Sequence, residues 1–259
     1  MADQLKATVA SISRFHSFEL ARQLQARNAL AAIYTGLAKR FVRRYGIEED
    51  LLHSFPWVQV PLEIAQRFDL LSPGMTRRIG HLAHRALDRH VARKLPACHV
   101  YMALAGIGLE SGRAAQARGT AYVCDRSSAH IEVQKRLLTD AYAALDLPYT
   151  PIDSYSVERN LAEYDQADMV VVPSQFAYDS FVESGFPAER LCRIPFGVPG
   201  PVRRCARRSE RSAFPAAGLF PGRAAGRAPG HCRSRGARNR HPAETLSRRG
   251  YRSRRTGFP

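Results

Sequence analysis

The chain has 259 residues, 45% of them apolar, so it can build a sizeable core, and its net charge is +16. The charge is not spread evenly: residues 201–259 hold 16 Arg, no Lys and two acids, and residues 1–200 are close to neutral. That asymmetry excludes a uniformly basic nucleic-acid binder. No apolar run reaches the length of a membrane span, and the first residues lack the apolar centre of a secretion signal.

The first 13 residues end in "ATVASIS" (7–13), a short β-branched apolar run that reads as a buried strand. "RFHSFELARQLQARN" follows as a helix, with Ser17 as its N-cap, Glu19 in the first turn and Asn28 at its close. "ALAAIYTG" (29–36) is the next strand, so the chain begins as a parallel βαβ unit. The two prolines of "SFPWVQVPLEI" (54–64) demote that segment to an edge strand or extended stretch. Residues 75–96 read as a long helix with Ile79, Leu82, Ala83, Ala86, Leu87 and Val91 on one face. Its many arginines lie mostly elsewhere, suited to a solvated face or an anionic membrane surface.

Alternation then resumes. Strands are expected at 99–106, 120–125, 168–174 and 190–198, with helices at 109–119, 131–146, 157–167 and 175–185. Near-continuous apolar strands alternating with amphipathic helices predict an α/β fold: a Rossmann-like parallel sheet with helices on both faces, over residues 1–198. Residues 199–259 are different. Arg, Ala, Gly and Pro fill 38 of the last 59 positions, too few large apolar groups to offset chain entropy, so a disordered basic tail is expected there. The five cysteines form no C-x-x-C pair or metal spacing, which predicts buried thiols in a reducing compartment and no metal site.

Ligands of an open parallel sheet bind at the carboxyl ends of its strands. Two loops stand out there. "SRFHSF" (13–18) sets Arg14 and His16 beside a helix N-terminus. "DRSSAH" (125–130) offers Arg126, Ser127, Ser128 and His130, the last able to titrate near neutral pH. Helix capping and exposed polar residues are the plainer reading of either loop. "AGIGLESG" (105–112), with Asp125 ending the next strand, is a rival. Its Gly-x-Gly turn faintly resembles a dinucleotide fingerprint, but Ser111 stands where the third glycine belongs, and tight turning with close packing is the simpler explanation.

Three blocks, "FHSFELARQL", "DRSSAHIEVQ" and "EYDQADMVVVPSQFAYDSFVESGFPAERLCRIPFGV", resemble the N-terminal half of family 4 glycosyltransferases, over about residues 7–198. The resemblance implies a GT-B fold with two Rossmann-like domains across a cleft, the first holding mainly the acceptor and the second a nucleotide-sugar (UDP or GDP). It implies sugar transfer with retention, no tightly bound cofactor and no metal. The missing signal core and membrane span make the cytoplasm the default, and the basic helix 75–96 adds the inner face of a membrane. The acceptor, a sugar or lipid-linked acceptor, stays open among a lipid-linked sugar, a polysaccharide and a small molecule. Carried onto this chain, Arg14, His16, Arg126, Ser127, Ser128, His130 and Ser174 line the acceptor side, and Phe196–Gly197–Val198 cross to the second domain. Past that crossing the resemblance stops. The family's donor-side Arg, Lys and close pair of glutamates have no counterpart, since residues 201–259 lack Lys and Glu210 and Glu244 stand far apart. Arg without Lys, amid Ala, Gly, Pro and Ser, is what a wrong frame of GC-rich DNA encodes. A truncated or frame-shifted end, inactive alone, is therefore expected. The alternative is a non-catalytic binding module whose Arg-rich tail takes nucleic acid or an anionic surface.

Overall fold

The computed structural model describes residues 4–197. Val198 and the basic tail, with Cys205 and Cys232, lie outside the described residues. Seven parallel strands form one sheet in the order β3-β2-β1-β4-β5-β6-β7. In chain order they are β1 (Ala7–Ser11), β2 (Leu30–Thr35), β3 (Leu52–Ser54), β4 (Val100–Leu104), β5 (Ala121–Asp125), β6 (Met169–Val172) and β7 (Leu191–Arg193). The chain builds outward from β1 to β3, then returns to β4 on the other side of β1. The strand order therefore reverses between β1 and β4, which opens a crevice above their carboxyl ends.

The helices are α1 (Ser17–Gln25), α2 (Lys39–Val42), α3 (Gln59–Arg67), α4 (Pro73–Lys94), α5 (Leu109–Gln116), α6 (Ile131–Ala144), α7 (Ser154–Gln166) and α8 (Gln175–Glu183). They cover both faces, as the unbroken apolar strands require. Val9 and Ile33 point into a cluster with Phe18, Ala21 and Leu52. Their neighbours Ala10 and Tyr34 point to the other side, against Leu87, Val91, Tyr101 and Tyr122. The α/β reading of the sequence holds, and Asn28 closes the first helix at a φ of 54°, as its residue type suggested.

Four expectations are corrected. Residues 54–64 are not one extended segment: β3 ends at Ser54 and Gln59 opens α3. Pro61 is the third residue of that helix, where backbone donors have no intrahelical partner, so its missing N–H costs nothing. Ser17 is not the N-cap. His16 holds that position with helical φ and ψ of −56° and −18°, which leaves Ser17 one residue too deep to cap. Its buried hydroxyl has no hydrogen-bond partner. On α4, Ala83, Leu87 and Val91 are buried as the periodicity implies, but Leu82 is 57% exposed and Asp88 takes a core position. Of the described cysteines, all free, only Cys124 is buried; Cys98 and Cys192 are partly exposed.

The glycines of the β4–α5 turn serve packing. A Cβ on Gly108 would lie 2.1 Å from the Tyr122 Oη and 2.9 Å from the Ala103 Cβ, and one on Gly112 would lie 2.6 Å from the Tyr122 ring. Gly108→Ala is expected to cost about 1–3 kcal/mol, read as a lower urea midpoint. Tyr122→Phe in the same chain should recover part of it, because it deletes the clashing hydroxyl, which is buried without a partner. An unchanged midpoint for Gly108→Ala would refute this packing account.

Candidate functional site

The loop after β1 and the end of β5 meet although they are far apart in sequence. The His16 Nε2 lies 2.6 Å from the Asp125 Oδ2. β4 stands between β1 and β5, so the two side chains reach across its carboxyl end. The Asp125 carboxylate is nearly buried and the His16 side chain about three-quarters so. The carboxylate accepts the Nε2–H, and in the neutral imidazole this selects the tautomer whose Nδ1 is the lone-pair acceptor. Phe196 returns over this edge after β7, its ring centroid 4.5 Å from that of His16. On the same loop, Ser13 and Arg14 line a cleft of about 330 Å³ with Leu37 and Glu63. Arg14 also sits above the Phe41 ring at 5.9 Å.

The second loop is turned inward. Arg126 is buried, donating its Nε to the Ala129 carbonyl at 3.0 Å, one terminal nitrogen to the Asn160 Oδ1 at 3.2 Å and the other to the Gln134 Oε1. Ser128 donates to the same Gln134 oxygen at 3.2 Å, and Ser127 lies half-buried between them. The His130 ring packs among Tyr164 and Phe181, and its Nδ1 is buried without a hydrogen-bond partner. Burial holds its pKa below the ordinary histidine value. Its smaller cavity, about 180 Å³, is shared with Tyr164, Phe186 and Arg190. Ser174 caps α8, its hydroxyl accepting the Ala177 N–H at 3.1 Å. The structure therefore unites Arg14, His16 and Phe196 at one edge, adds Asp125, and sets Arg126, Ser128, His130 and Ser174 in internal contacts. Gly197 ends the described chain.

The rival Gly-x-Gly turn is already filled. The Glu163 carboxylate accepts the Gly106 N–H at 2.6 Å and the Gly108 N–H at 3.0 Å. Asp88 accepts the Glu110 N–H at 2.9 Å, the Ser111 N–H at 2.8 Å and the Ser111 hydroxyl at 2.6 Å. Two internal carboxyl groups thus take the donors at the start of α5 that a nucleotide phosphate would need. Arg159 joins them. It donates to Asp88, donates its Nε to the Gly106 carbonyl at 2.8 Å, and lies 3.5 Å from the Glu163 Oε1. No reading of the sequence alone pairs these residues. The available cue was a glycine turn rich in donors with three ionisable side chains on neighbouring helices.

Burial pushes the Glu163 carboxyl up to about 7, against the pull of the Gly106 N–H and Arg159. Partly buried His84, beside Gly106, is pushed down to about 4 by burial and by the Arg159 charge. A carboxyl whose folded pKa is raised stabilises most below its unfolded value and loses that contribution as pH rises through about 7, roughly 3 kcal/mol in all. The lowered histidine works in the opposite sense and gains stability as pH rises towards 6.5. The two slopes oppose between pH 4.5 and 6.5. Glu163→Gln should therefore make unfolding free energy climb with pH across that window more steeply than in the unaltered chain. Parallel curves from urea melts would refute it.

Among the described residues no His, Cys, Asp and Glu cluster is placed to hold a metal, and no helix is long and apolar enough to cross a membrane.

No protein-family model matches the chain, and a comparison with curated proteins finds no match. Solved structures similar to it include a UDP-N-acetylglucosamine 2-epimerase at 11% identity and a TM-score of 0.43, covering 73% of this chain and 47% of the other. The Neisseria meningitidis UDP-GlcNAc 2-epimerase bound to UDP-GlcNAc matches at 10% identity and 0.43, covering 73% and 46%. TcCGT1 in complex with UDP matches at 11% and 0.49, covering 75% and 51%. The chain spans about half the length of these structures. Similarity this low speaks to neither the activity nor the substrate of this chain.

Proposed function

We propose that residues 7–198 are the acceptor-holding half of a GT-B glycosyltransferase that moves a sugar from a UDP- or GDP-sugar to a hydroxyl acceptor. The observation that carries this reading is the His16–Asp125 contact of 2.6 Å at the carboxyl edge of the sheet, on the loop that also lines the larger cleft. Asp125 orients the imidazole, and Nδ1 takes the acceptor hydroxyl proton as the new sugar–oxygen bond forms and the bond from the sugar carbon to the nucleoside diphosphate breaks on the same face, the diphosphate leaving with that electron pair. The family 4 resemblance supports His16 on the acceptor side of the cleft and, separately, retention at the sugar carbon; the base role rests on the His16–Asp125 geometry alone. Neither a metal nor a tightly bound cofactor is part of the reading.

The 259 residues alone are expected to transfer no sugar, because residues 201–259 supply no Lys and no close pair of glutamates for a donor. The test starts with the gene. The codons for Phe196 to Arg208 are resequenced, and all three downstream frames translated. Another frame should resume strand–helix alternation with an Arg, a Lys and two nearby glutamates. The protein made in that frame should transfer sugar from a nucleotide-sugar. If the written frame stands and no other encodes such a domain, the transfer reading fails. The Arg-rich segment then becomes a basic arm, tested by loss of anionic-partner binding when 201–259 are deleted.

A further inference from the structure

α3 breaks the usual rule that a surface helix hides its apolar side. Trp57, Pro61, Ile64 and Phe68 recur at the spacing of one helical face, and all four are exposed. Trp57 is 76% exposed, Phe68 65%, and Leu70, in the turn to α4, 68%. The helix is not merely loose. Its opposite side is anchored by buried Leu62, which packs beside Gly80 of α4, and Gln59 packs on Gly36. α3 therefore has two apolar faces, and only one is covered.

The neighbouring surface is basic. From Arg67 to Lys94 the chain has seven Arg and Lys and two acids, of which Asp88 is buried. Arg78, Arg85 and Arg89 recur along the exposed side of α4. Arg89 is held by Glu110 and Arg77 by Asp153, but Arg67, Arg78 and Arg85 make no ion pair among the described residues. An exposed apolar stripe beside unpaired arginines matches an anionic bilayer in both of its layers, acyl boundary and phosphate. A protein partner would need to supply acids and an apolar groove together.

We propose that the α3–α4 face lies on an anionic lipid bilayer. Trp57, Ile64 and Phe68 enter the headgroup–acyl boundary, and Arg67, Arg78 and Arg85 meet lipid phosphates. Glu63 of the same helix lines the cleft beside Arg14, so the cleft opens next to the bilayer. That a lipid-linked acceptor enters it from there rests on the transfer reading; the membrane contact does not.

Trp57 is the chain's single tryptophan, so its emission reports on this face alone. The full chain is mixed with phosphatidylcholine vesicles, with and without phosphatidylglycerol. The expected result is a blue shift of Trp57 and quenching by brominated acyl chains, with the anionic vesicles only. Ile64→Ser with Phe68→Ser should weaken vesicle binding about tenfold or more, and Arg78→Glu with Arg85→Glu should weaken it and flatten its salt dependence. Vesicle binding with Trp57 emission unchanged would overturn the proposal and assign binding to the Arg-rich residues 201–259. A blue shift that needs no vesicles and grows with protein concentration would overturn it in favour of a second copy on this face. Absence of binding would overturn it outright.

Discussion

Replacing His16 by alanine, in a protein whose frame past Val198 encodes the donor half, is expected to lower sugar transfer about 10²–10⁴-fold. The imidazole is held at one nitrogen by a nearly buried carboxylate, so the other nitrogen is presented as a base at a fixed place. Asp125→Asn is the sharper variant. Its amide donates to Nε2 and drives the ring proton onto Nδ1, which converts the base into a donor without removing the ring. It should lose nearly as much turnover as His16→Ala while leaving the KM for the nucleotide-sugar unchanged, since neither residue belongs to the donor half. Full turnover with His16→Ala would remove His16 from the reaction.

The largest expected effect on stability comes from the buried network under the β4–α5 turn. Arg159→Met should destabilise the fold by about 3–5 kcal/mol, because it strands Asp88 and Glu163 inside the core with no countercharge. Adding Glu163→Gln should restore part of the loss by removing one of the two carboxyl groups. The measurement is a urea melt followed by far-UV circular dichroism, which reads helices on both faces of the sheet. A loss below about 1 kcal/mol for Arg159→Met would show that water already solvates the network.

Six of the strands were legible because each lies in a short apolar run, and a sheet buried on both faces demands such runs; β3, Leu52–His53–Ser54 at the sheet edge, is no such run and was not. The helices α1, α5 and α8 were legible from their periodicity and from Asn28, Gly119 and Gly185 at their ends, all with positive φ. α3 was not, since a proline reads as a break unless its place in the first turn is known. The His16 loop was visible as polar residues at a strand end. Its partner was hidden, because pairing with Asp125 follows only when β4 is known to separate β1 from β5. Arg126 and His130 looked like ligand donors because sequence gives a residue's chemistry and not its direction. Gln134 lies on α6 directly after the loop, but the other side-chain acceptor, Asn160, and the ring neighbours Tyr164 and Phe181 come from α7 and α8, far along the chain.

The strand order also sets a timetable on the ribosome. β1 and β2 are both complete once Thr35 is made, but the other edge of β1 pairs with β4, which starts only at Val100. At about 5–20 residues per second, that apolar edge waits several seconds for its partner. In that interval a nascent chain can pair with another, so expression that slows elongation between these codons should favour aggregates. Every strand of the sheet, in contrast, is translated before the codon for Ile194. A shift of frame after that point leaves the residues of all seven unchanged.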